Sequence, residues 1–167
     1  FVSAEDKNFF KHNGVDILGT TRAAARSVKN KVTGDGGLEG GSTITQQVAK
    51  NMLLTRDQTF RRKAKEAKIA QRMEKEFSKG QILELYLNEI YLGGRSYGVG
   101  SAALNYFNKS LPELDLSEAA ILASLPKAPG KKNPYNDPEG VMNRRNYVLE
   151  RMREDGFAWW RARMSSQ

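Results

Sequence analysis

Cysteine is absent from the sequence, and histidine occurs only once, as His12. Without cysteine there can be no disulfide, no thiolate metal site and no cysteine nucleophile, and one imidazole cannot complete a histidine-based metal site. A divalent cation held by carboxylates is still compatible with the composition. Because a chain without cysteine suits reducing and oxidising compartments alike, the cysteine count does not locate the protein.

Long apolar runs are missing too. No stretch approaches the roughly 20 apolar residues that span a bilayer, and no secretory leader is visible. The 167 residues fit one domain, and because the sequence begins at Phe1 rather than methionine, we expect it to be part of a longer chain. Phosphate-binding loops, dinucleotide fingerprints and G-x-S-x-G elbows are also absent, so nucleotide hydrolysis and serine-esterase chemistry have no support.

The chain is strongly basic. It has 27 lysine and arginine residues against 19 aspartate and glutamate residues, which gives a net charge of +8. This charge favours anionic partners such as phosphates, membrane headgroups or nucleic acid. The cations are interspersed with acids and no nucleic-acid-binding motif is visible, so we expect no nucleic-acid partner. A noncatalytic basic module that binds anionic lipid or nucleic acid is kept as an alternative.

Hydrophobic periodicity predicts a mainly helical chain, since no run alternates convincingly as a strand. We predict a short helix from Ser3 to a stop at Gly14, a second helix from Asp16 through Val28, and a glycine-rich loop over residues 31–41. Further helices are predicted over residues 43–52, 60–77, 79–91, 101–107 and 116–125, and from about residue 139. A glycine-rich turn is predicted over residues 93–100, and Asn108 is the predicted left-handed end of the helix over residues 101–107.

On the first predicted helix, Glu5, Phe9 and His12 recur at i, i+4 and i+7, which places a carboxylate, a ring and an imidazole on one face. Asp6 lies beside them. This face fits a catalytic site. It fits equally well an acidic first turn that complements the helix dipole, with Phe9 in the core and a structural histidine.

A second polar face follows a pair of glycines. Thr43 and Gln46 have the spacing of a capping box, and Thr43, Gln47 and Lys50 recur at i, i+4 and i+7. An apolar stripe lies opposite, at Ile44, Val48 and Met52. The glycines and Ser42 that precede this helix let backbone donors approach an anion, which favours ligand recognition over an ordinary solvated face.

Arg62, Lys63 and Glu66 form a third cluster with i+4 and i+3 spacing. Such spacing usually indicates surface ion pairs worth roughly 0.3–0.5 kcal/mol each. Here the cations precede the acid, which is the weaker orientation on a helix, and further cations crowd the segment. A pyrophosphate clamp explains the cluster better, because guanidinium forks bind phosphate oxygens and a leaving pyrophosphate needs its charge neutralised.

Four blocks carry a resemblance to a known family: Glu5-Asp-x-x-Phe9-x-x-His12-x-Gly14, Gly41-Ser-Thr-Ile-Thr-Gln-Gln47, Arg62-Lys-x-x-Glu66 and Lys79-x-x-Ile-Leu-Glu-x-Tyr-Leu-Asn88. In this order they resemble the signature motifs of the bacterial peptidoglycan glycosyltransferases. That family comprises the polymerase domains of class A penicillin-binding proteins and the monofunctional transglycosylases. The likeness extends through Asn133-Pro-Tyr and Arg144-Arg145.

The resemblance implies that residues 1–167 form one glycosyltransferase domain with a mainly α, lysozyme-like fold, divided into a head lobe and a small jaw lobe. It also implies a reaction. The reducing-end sugar of a growing glycan, carried on undecaprenyl pyrophosphate, is attacked by the 4-hydroxyl of lipid II, the incoming lipid-linked disaccharide, and a β-1,4 linkage forms. Because the donor linkage is α, the displacement is inverting, and no covalent sugar intermediate is expected.

By motif position, the resemblance implies that Glu5 is the general base. It implies that Glu66 is a second carboxylate, which supports the leaving-group side together with Lys50, Arg62 and Lys63. The other residues implied to contact or position substrate are Asp6, Phe9, His12, Ser42, Thr43, Gln46, Gln47 and Asn88. No organic cofactor is implied. A divalent cation, Mg²⁺ or Mn²⁺, is suggested, and its ligands are left unassigned.

The implied partners are lipid II, the growing lipid-linked glycan, the membrane surface and a transpeptidase domain that follows Gln167. The implied location is the extracytoplasmic, periplasmic face of the bacterial cytoplasmic membrane, with an N-terminal anchor helix outside this sequence. One position departs from the family pattern, because Gln58 stands where many members have a basic residue. The terminal pair Trp159 and Trp160 matches no motif, and we expect it to pack on the domain.

The enzymatic alternative is a lysozyme-like hydrolase or lytic transglycosylase, which would cleave the glycan with a catalytic glutamate. Its leaving group is a neutral sugar, on which the charge of Lys50, Arg62 and Lys63 would be poorly used. These cations therefore favour synthesis over cleavage.

Overall fold

The computed structural model describes residues 1–22, 41–52 and 60–156. This part of the chain is mainly helical, and its only β-type pairing is an isolated bridge between Tyr91 and Tyr97. The prediction of a mainly α fold is therefore confirmed. None of the helices in these three ranges is long and apolar enough to cross a membrane.

Seven α-helices lie wholly within the described ranges: α1 (Val2–Glu5), α2 (Ile44–Met52), α3 (Phe60–Glu76), α4 (Lys79–Glu89), α5 (Val99–Phe107), α6 (Leu116–Ser124) and α7 (Pro138–Glu154). Short 3₁₀ helices occur at Phe9–Lys11, Leu111–Glu113 and Leu125–Lys127. Residues 17–22 are also helical. The predictions for Gln58, for Trp159 and Trp160, for the end of the second helix at Val28 and for the loop over residues 31–40 lie outside the described residues.

By their contacts the residues divide into two compact units. One unit comprises Val2 and Ala4–Tyr86, and the other comprises Phe1, Ser3 and the chain from Leu87 onward. The composition predicts one domain, and the division into a head lobe and a jaw lobe stays a prediction.

In the first unit α2 packs against α3. Its core is formed by Phe9, Ile44, Val48, Ala49, Ala70, Met73, Ile82 and Tyr86. Ile44 and Val48 are buried as the apolar stripe predicts, but the prediction for Met52 is wrong, because its side chain is 63% exposed. Met52 is the last residue of α2, where the helix has passed its buried turns.

The single helix predicted from Ser3 to Gly14 is wrong. Helix α1 ends at Glu5, and the chain resumes only as the 3₁₀ turn Phe9–Lys11. Tertiary contacts override the local helical pattern, because Phe9 is completely buried and the Asp6 side chain is used to bind the backbone of α2.

Gly14 has the predicted left-handed conformation, with φ +89°, although no helix ends there. It lies so close to α3 that a Cβ added here would be 2.8 Å from the carbonyl carbon and oxygen of Ala70. Only glycine fits this position without a shift of backbone. Asp16 caps the following helix as predicted, since its Oδ1 accepts a hydrogen bond of 2.8 Å from Gly19 N–H.

In the second unit α6 packs against α5 and α7. Its apolar core is formed by Leu92, Ala102, Ala103, Ala120, Leu122, Ala123, Leu125, Val141 and Val148. Short polar residues bound the helices: a capping box of Asp115 and Glu118 begins α6, and Asp137 caps α7 through Gly140 N–H. Asn108, with φ +53°, ends α5 as predicted.

A glycine-rich turn precedes α5, also as predicted, and at Gly98 it comes very close to neighbouring backbone. Gly98 has φ +77°, and a Cβ added there would be 2.4 Å from the carbonyl oxygen of Asn88. Gly98 N–H donates to Ile90 C=O at 2.8 Å, which closes the turn. The turn therefore requires glycine for its conformation and for the space it occupies.

We expect Gly98→Ala to lower the free energy of unfolding by at least about 2 kcal/mol, because alanine is strained at positive φ and its Cβ meets the Asn88 carbonyl. The matched control is Gly100→Ala in the first turn of α5, where an added Cβ meets nothing within 4 Å. This control should be neutral or stabilise by up to about 1 kcal/mol. Denaturant unfolding of both variants measures the difference, and equal losses would contradict the assignment.

Candidate active site

Asp6 links the N-terminal segment to α2. Its Oδ2 accepts a hydrogen bond of 2.9 Å from the backbone N–H of Ile44, the first residue of α2. Both carboxylate oxygens lie 3.0 Å from Nε2 of His12. Nδ1 of His12 accepts from Gly14 N–H at 3.2 Å, so the proton of the neutral ring is on Nε2, which donates to Asp6.

Burial dominates the electrostatics around Asp6. It raises the pKa of the Asp6 carboxyl, and the Ile44 N–H, His12 and Lys79 oppose this shift. Burial also raises the pKa of the nearby Tyr86 hydroxyl, and the charges of Glu5 and Asp6 raise it further. The Tyr86 hydroxyl is therefore neutral at physiological pH, and the phenol adds no charge beside the two acids.

Glu5 is the last residue of α1 and is half-buried. Nε2 of Gln47, on the second turn of α2, donates to Oε2 of Glu5 at 3.3 Å. This contact brings together two predicted site residues that are separated by 42 positions in sequence. An amide donor orients a carboxylate without neutralising its charge, which is the environment that a general base needs.

The start of α2 is held by the predicted capping box. Thr43 N–H donates to Oε1 of Gln46 at 3.0 Å, and Gln46 N–H donates to Oγ1 of Thr43 at 3.1 Å. The Thr43 hydroxyl donates to Gly14 C=O at 2.6 Å. Both side chains are buried. Their observed role is to fix α2 against the N-terminal segment, and their predicted contact with substrate stays a prediction.

Glu66 is the most buried acid of the site, with only 1% of its side chain exposed. Its Oε1 lies 3.0 Å from Nε of Arg62, and its Oε2 lies 2.8 Å from Nζ of Lys63. Lys63 also donates to Oγ of Ser42 at 2.8 Å and is half exposed. The simple interpretation as surface ion pairs is therefore wrong, because one buried carboxylate anchors two cations that reach toward the surface.

A second charge network was not predicted as a site. Nζ of Lys79 donates to His12 C=O and to Oε1 of Glu74, both at 2.7 Å, and lies 4.5 Å from the centre of the Phe9 ring. Thr45 donates to the same Glu74 oxygen at 2.6 Å. Lys79 is part of a sequence block of the family, but no helical spacing links it to Glu74, because the chain breaks between α3 and α4.

Three other predicted site residues differ in how far they are buried. Phe9 is fully buried, and its ring packs edge to face against Phe10 and His12. It therefore supports the N-terminal segment from within the core. Lys50 lies exposed in the last turn of α2. Asn88 is exposed and belongs to the second compact unit.

The donor set argues against a metal site built from protein ligands alone. The described residues contain no group of three or more histidine, cysteine, aspartate or glutamate side chains that could hold an ion. Glu66 already lies against two cations. A divalent cation bound to the described residues would therefore take most of its ligands from substrate phosphates, as Mg²⁺ commonly does.

Comparison with known proteins places this arrangement in a family. A family model described as Transglycosylase matches residues 1–153. Penicillin-binding protein 1A of Aquifex aeolicus is 53% identical over 157 residues, which cover 94% of this chain and 21% of that protein. The same protein of Rickettsia typhi is 51% identical, with 94% of this chain and 20% of that protein covered. The chain belongs to the transglycosylase family.

Among solved structures, penicillin-binding protein 1A from Haemophilus influenzae matches with 43% sequence identity and a TM-score of 0.43. The matched region covers 65% of this chain and 13% of the Haemophilus chain. The chain spans about a fifth of the length of the curated relatives that it matches.

We expect Lys79→Met to lower the free energy of unfolding by about 2 kcal/mol, because Glu74 would stay largely buried without its cation and His12 C=O would lose its donor. The matched control is Lys75→Met, at an exposed cation of α3. It should change the free energy of unfolding by less than about 0.5 kcal/mol. Adding Glu74→Gln to Lys79→Met should recover part of the loss. Denaturant unfolding of the four proteins tests this, and a double variant no better than Lys79→Met would contradict it.

Proposed function

We propose that the chain polymerises peptidoglycan glycan strands by inverting transfer of an undecaprenyl-pyrophosphate-linked glycan to the 4-hydroxyl of lipid II, forming β-1,4 linkages. One observation carries the proposal: within a single compact unit, a half-buried Glu5 is oriented by an amide, and a buried Glu66 holds two cations. The chain's membership of the transglycosylase family and the names of its relatives support it further.

Glu5 is proposed as the general base. The acceptor hydroxyl must lose its proton as it attacks the anomeric carbon, and a carboxylate within hydrogen-bonding reach accelerates such a step by about 10²–10⁴-fold. The Gln47 amide donates to one carboxylate oxygen and so fixes the direction in which the acid faces. Asp6 and His12 act on the same residue indirectly, because they hold the segment that follows Glu5 against α2.

Arg62 and Lys63 are proposed to neutralise the departing pyrophosphate. With Glu66 they form a group with one negative and two positive charges, so a net positive charge faces the site. Glu66 acts by holding the cations in place. Because the Ser42 hydroxyl accepts from Lys63, it is placed to donate its own hydrogen to a phosphate oxygen. Lys50 adds mobile positive charge from the last turn of α2.

The remaining assignments are proposals of the same kind. Phe9 shapes the acceptor side from within the core, Thr43 and Gln46 position the donors at the start of α2, and Asn88 supports the substrate groove. A divalent cation, if one is used, would bind the pyrophosphate together with few protein ligands, and no step is assigned to it.

The proposed setting is the extracytoplasmic face of the bacterial cytoplasmic membrane, because both substrates carry long lipids. The proposed partners are lipid II, the growing glycan and the membrane surface. Since the chain spans only about a fifth of its curated relatives, we also propose a longer protein with an N-terminal anchor and a transpeptidase domain.

We expect Glu5→Gln to reduce polymerisation by at least about 10²-fold without loss of stability, since a half-buried carboxylate is replaced by a near isostere. The assay incubates the purified chain with the lipid-linked disaccharide pentapeptide, detergent and Mg²⁺ and separates glycan products by gel. Glu76→Gln, at an exposed acid of α3, is the matched control and should polymerise normally. Full turnover by Glu5→Gln would remove this residue from the base role, and strand shortening by wild type would indicate a hydrolase.

We expect Lys63→Ala to lower the polymerisation rate by roughly 10–100-fold in the same assay, because one preorganised cation on the leaving pyrophosphate is lost. Its stability should fall less than that of Lys79→Met, since Arg62 stays beside Glu66 and half of the Lys63 side chain is exposed. Lys131→Ala removes an equal charge from an exposed position in the second unit and should leave the rate unchanged. Equal rates for the two variants would contradict the clamp.

A further inference from the structure

Helix α3 carries a row of cations that the proposed reaction does not use. They recur at i, i+4, i+7, i+11 and i+14 and form a cationic stripe of Arg61, Lys65, Lys68, Arg72 and Lys75. All five are exposed. At 100° per residue they lie within an arc of about 80°, and they extend along about 21 Å of the helix. The residues on the opposite face, Glu66, Ala70 and Met73, are buried.

The acids of α3 leave this stripe without neutralisation. Glu66 pairs with Arg62 and Lys63, and Glu74 pairs with Lys79. The third acid, Glu76, is exposed and forms no ion pair with a stripe cation. No stripe cation forms an ion pair with any residue that the structure describes. Like charges three and four positions apart on a helix repel each other, so the stripe weakens the helix that bears it. Helix stability therefore does not explain why five cations share this face.

The geometry also separates the stripe from the proposed pyrophosphate clamp. On a helical projection, Arg62 and Lys63 lie about 100° and 200° away from Arg61, outside the arc of the stripe. A pyrophosphate is only a few ångströms long and cannot reach five cations spread along about 21 Å. The stripe therefore fits an extended anionic surface better than it fits a single phosphate group.

We propose that the cationic stripe of α3 binds the anionic phospholipid headgroups of the membrane and orients the first compact unit on the bilayer. The inference rests on the proposed function, because lipid-linked substrates require the site to work at a membrane. A straight row of exposed cations matches a planar anionic surface, and clusters of four or more lysine and arginine residues bind such surfaces. Beside the stripe lies a surface depression that offers room for headgroups, lined by Asn13, Lys68, Gln71, Arg72, Glu74 and Lys75.

The test measures binding of the purified 167-residue chain to vesicles of phosphatidylcholine alone and to vesicles with about 30% phosphatidylglycerol. We expect binding only to the anionic vesicles, and we expect it to fall steeply with added salt. Lys68→Gln/Arg72→Gln should weaken the partition coefficient by about 25-fold, from about fivefold for each cation removed. Lys131→Gln/Lys132→Gln removes the same charge from exposed positions of the second unit and should change it less than about twofold.

Three outcomes would overturn the inference: no preference for anionic vesicles, equal losses in the two double variants, or tighter stripe-dependent binding to a single-stranded oligonucleotide than to the vesicles. Polymerisation of detergent-dispersed substrate is measured in parallel and should be the same for both double variants and wild type. If wild type does not polymerise but binds vesicles through the stripe, the proposed function is rejected and the membrane-binding role of the stripe is kept. Active wild type without vesicle binding would reject only the stripe.

Discussion

The hydrogen bond from the Ile44 backbone N–H to the buried carboxylate of Asp6 is the interaction on which the rest of the site depends. The first N–H groups of a helix have no partner within the helix, and Asp6 supplies one to Ile44 at the start of α2. The positive end of the helix dipole favours a negative charge at the same place. His12 donates to the same carboxylate, so one side chain joins α2 to two positions of the N-terminal segment, Asp6 and His12. Glu5 is adjacent in sequence, and its position against Gln47 follows from this attachment.

Glu5 and Glu66, both in the first unit, have different surroundings, and this difference fits the different roles proposed for them. Glu66 lies between two cations and is almost completely buried, so its charge is committed to ion pairs. Glu5 is half-buried and receives a hydrogen bond from a neutral amide. Under the proposed reaction, Glu5 accepts the proton and Glu66 organises positive charge.

Local rules predicted the features that depend on neighbours in sequence. The capping box of Thr43 and Gln46, the cap at Asp16 and the left-handed stop at Asn108 were all found where short-range hydrogen bonding requires them. The same rules failed between Ser3 and Gly14, since the helical spacing of Glu5, Phe9 and His12 assumes a helix that ends at Glu5. Burial of Phe9 in the core decided the chain path there, and that depends on residues far along the sequence.

Helical spacing could not predict contacts between residues that lie on different secondary-structure elements. Lys79 reaches His12 across 67 positions, and it pairs with Glu74 across the junction of α3 and α4. The family resemblance drew attention to the block that contains Lys79, but it did not identify the partners. Sequence therefore indicated the two glutamates and their cations, whereas the structure was needed to find what holds the N-terminal segment in place.

The ring of His12 has a consequence for where protons can travel. One nitrogen accepts from Gly14 and the other donates to Asp6, so both are occupied in holding the backbone turn. Both nitrogens of the only imidazole in the chain are therefore engaged within the N-terminal segment. Under the proposed reaction, the proton that Glu5 takes up is therefore not passed along a chain of histidines, because the sequence contains no second one.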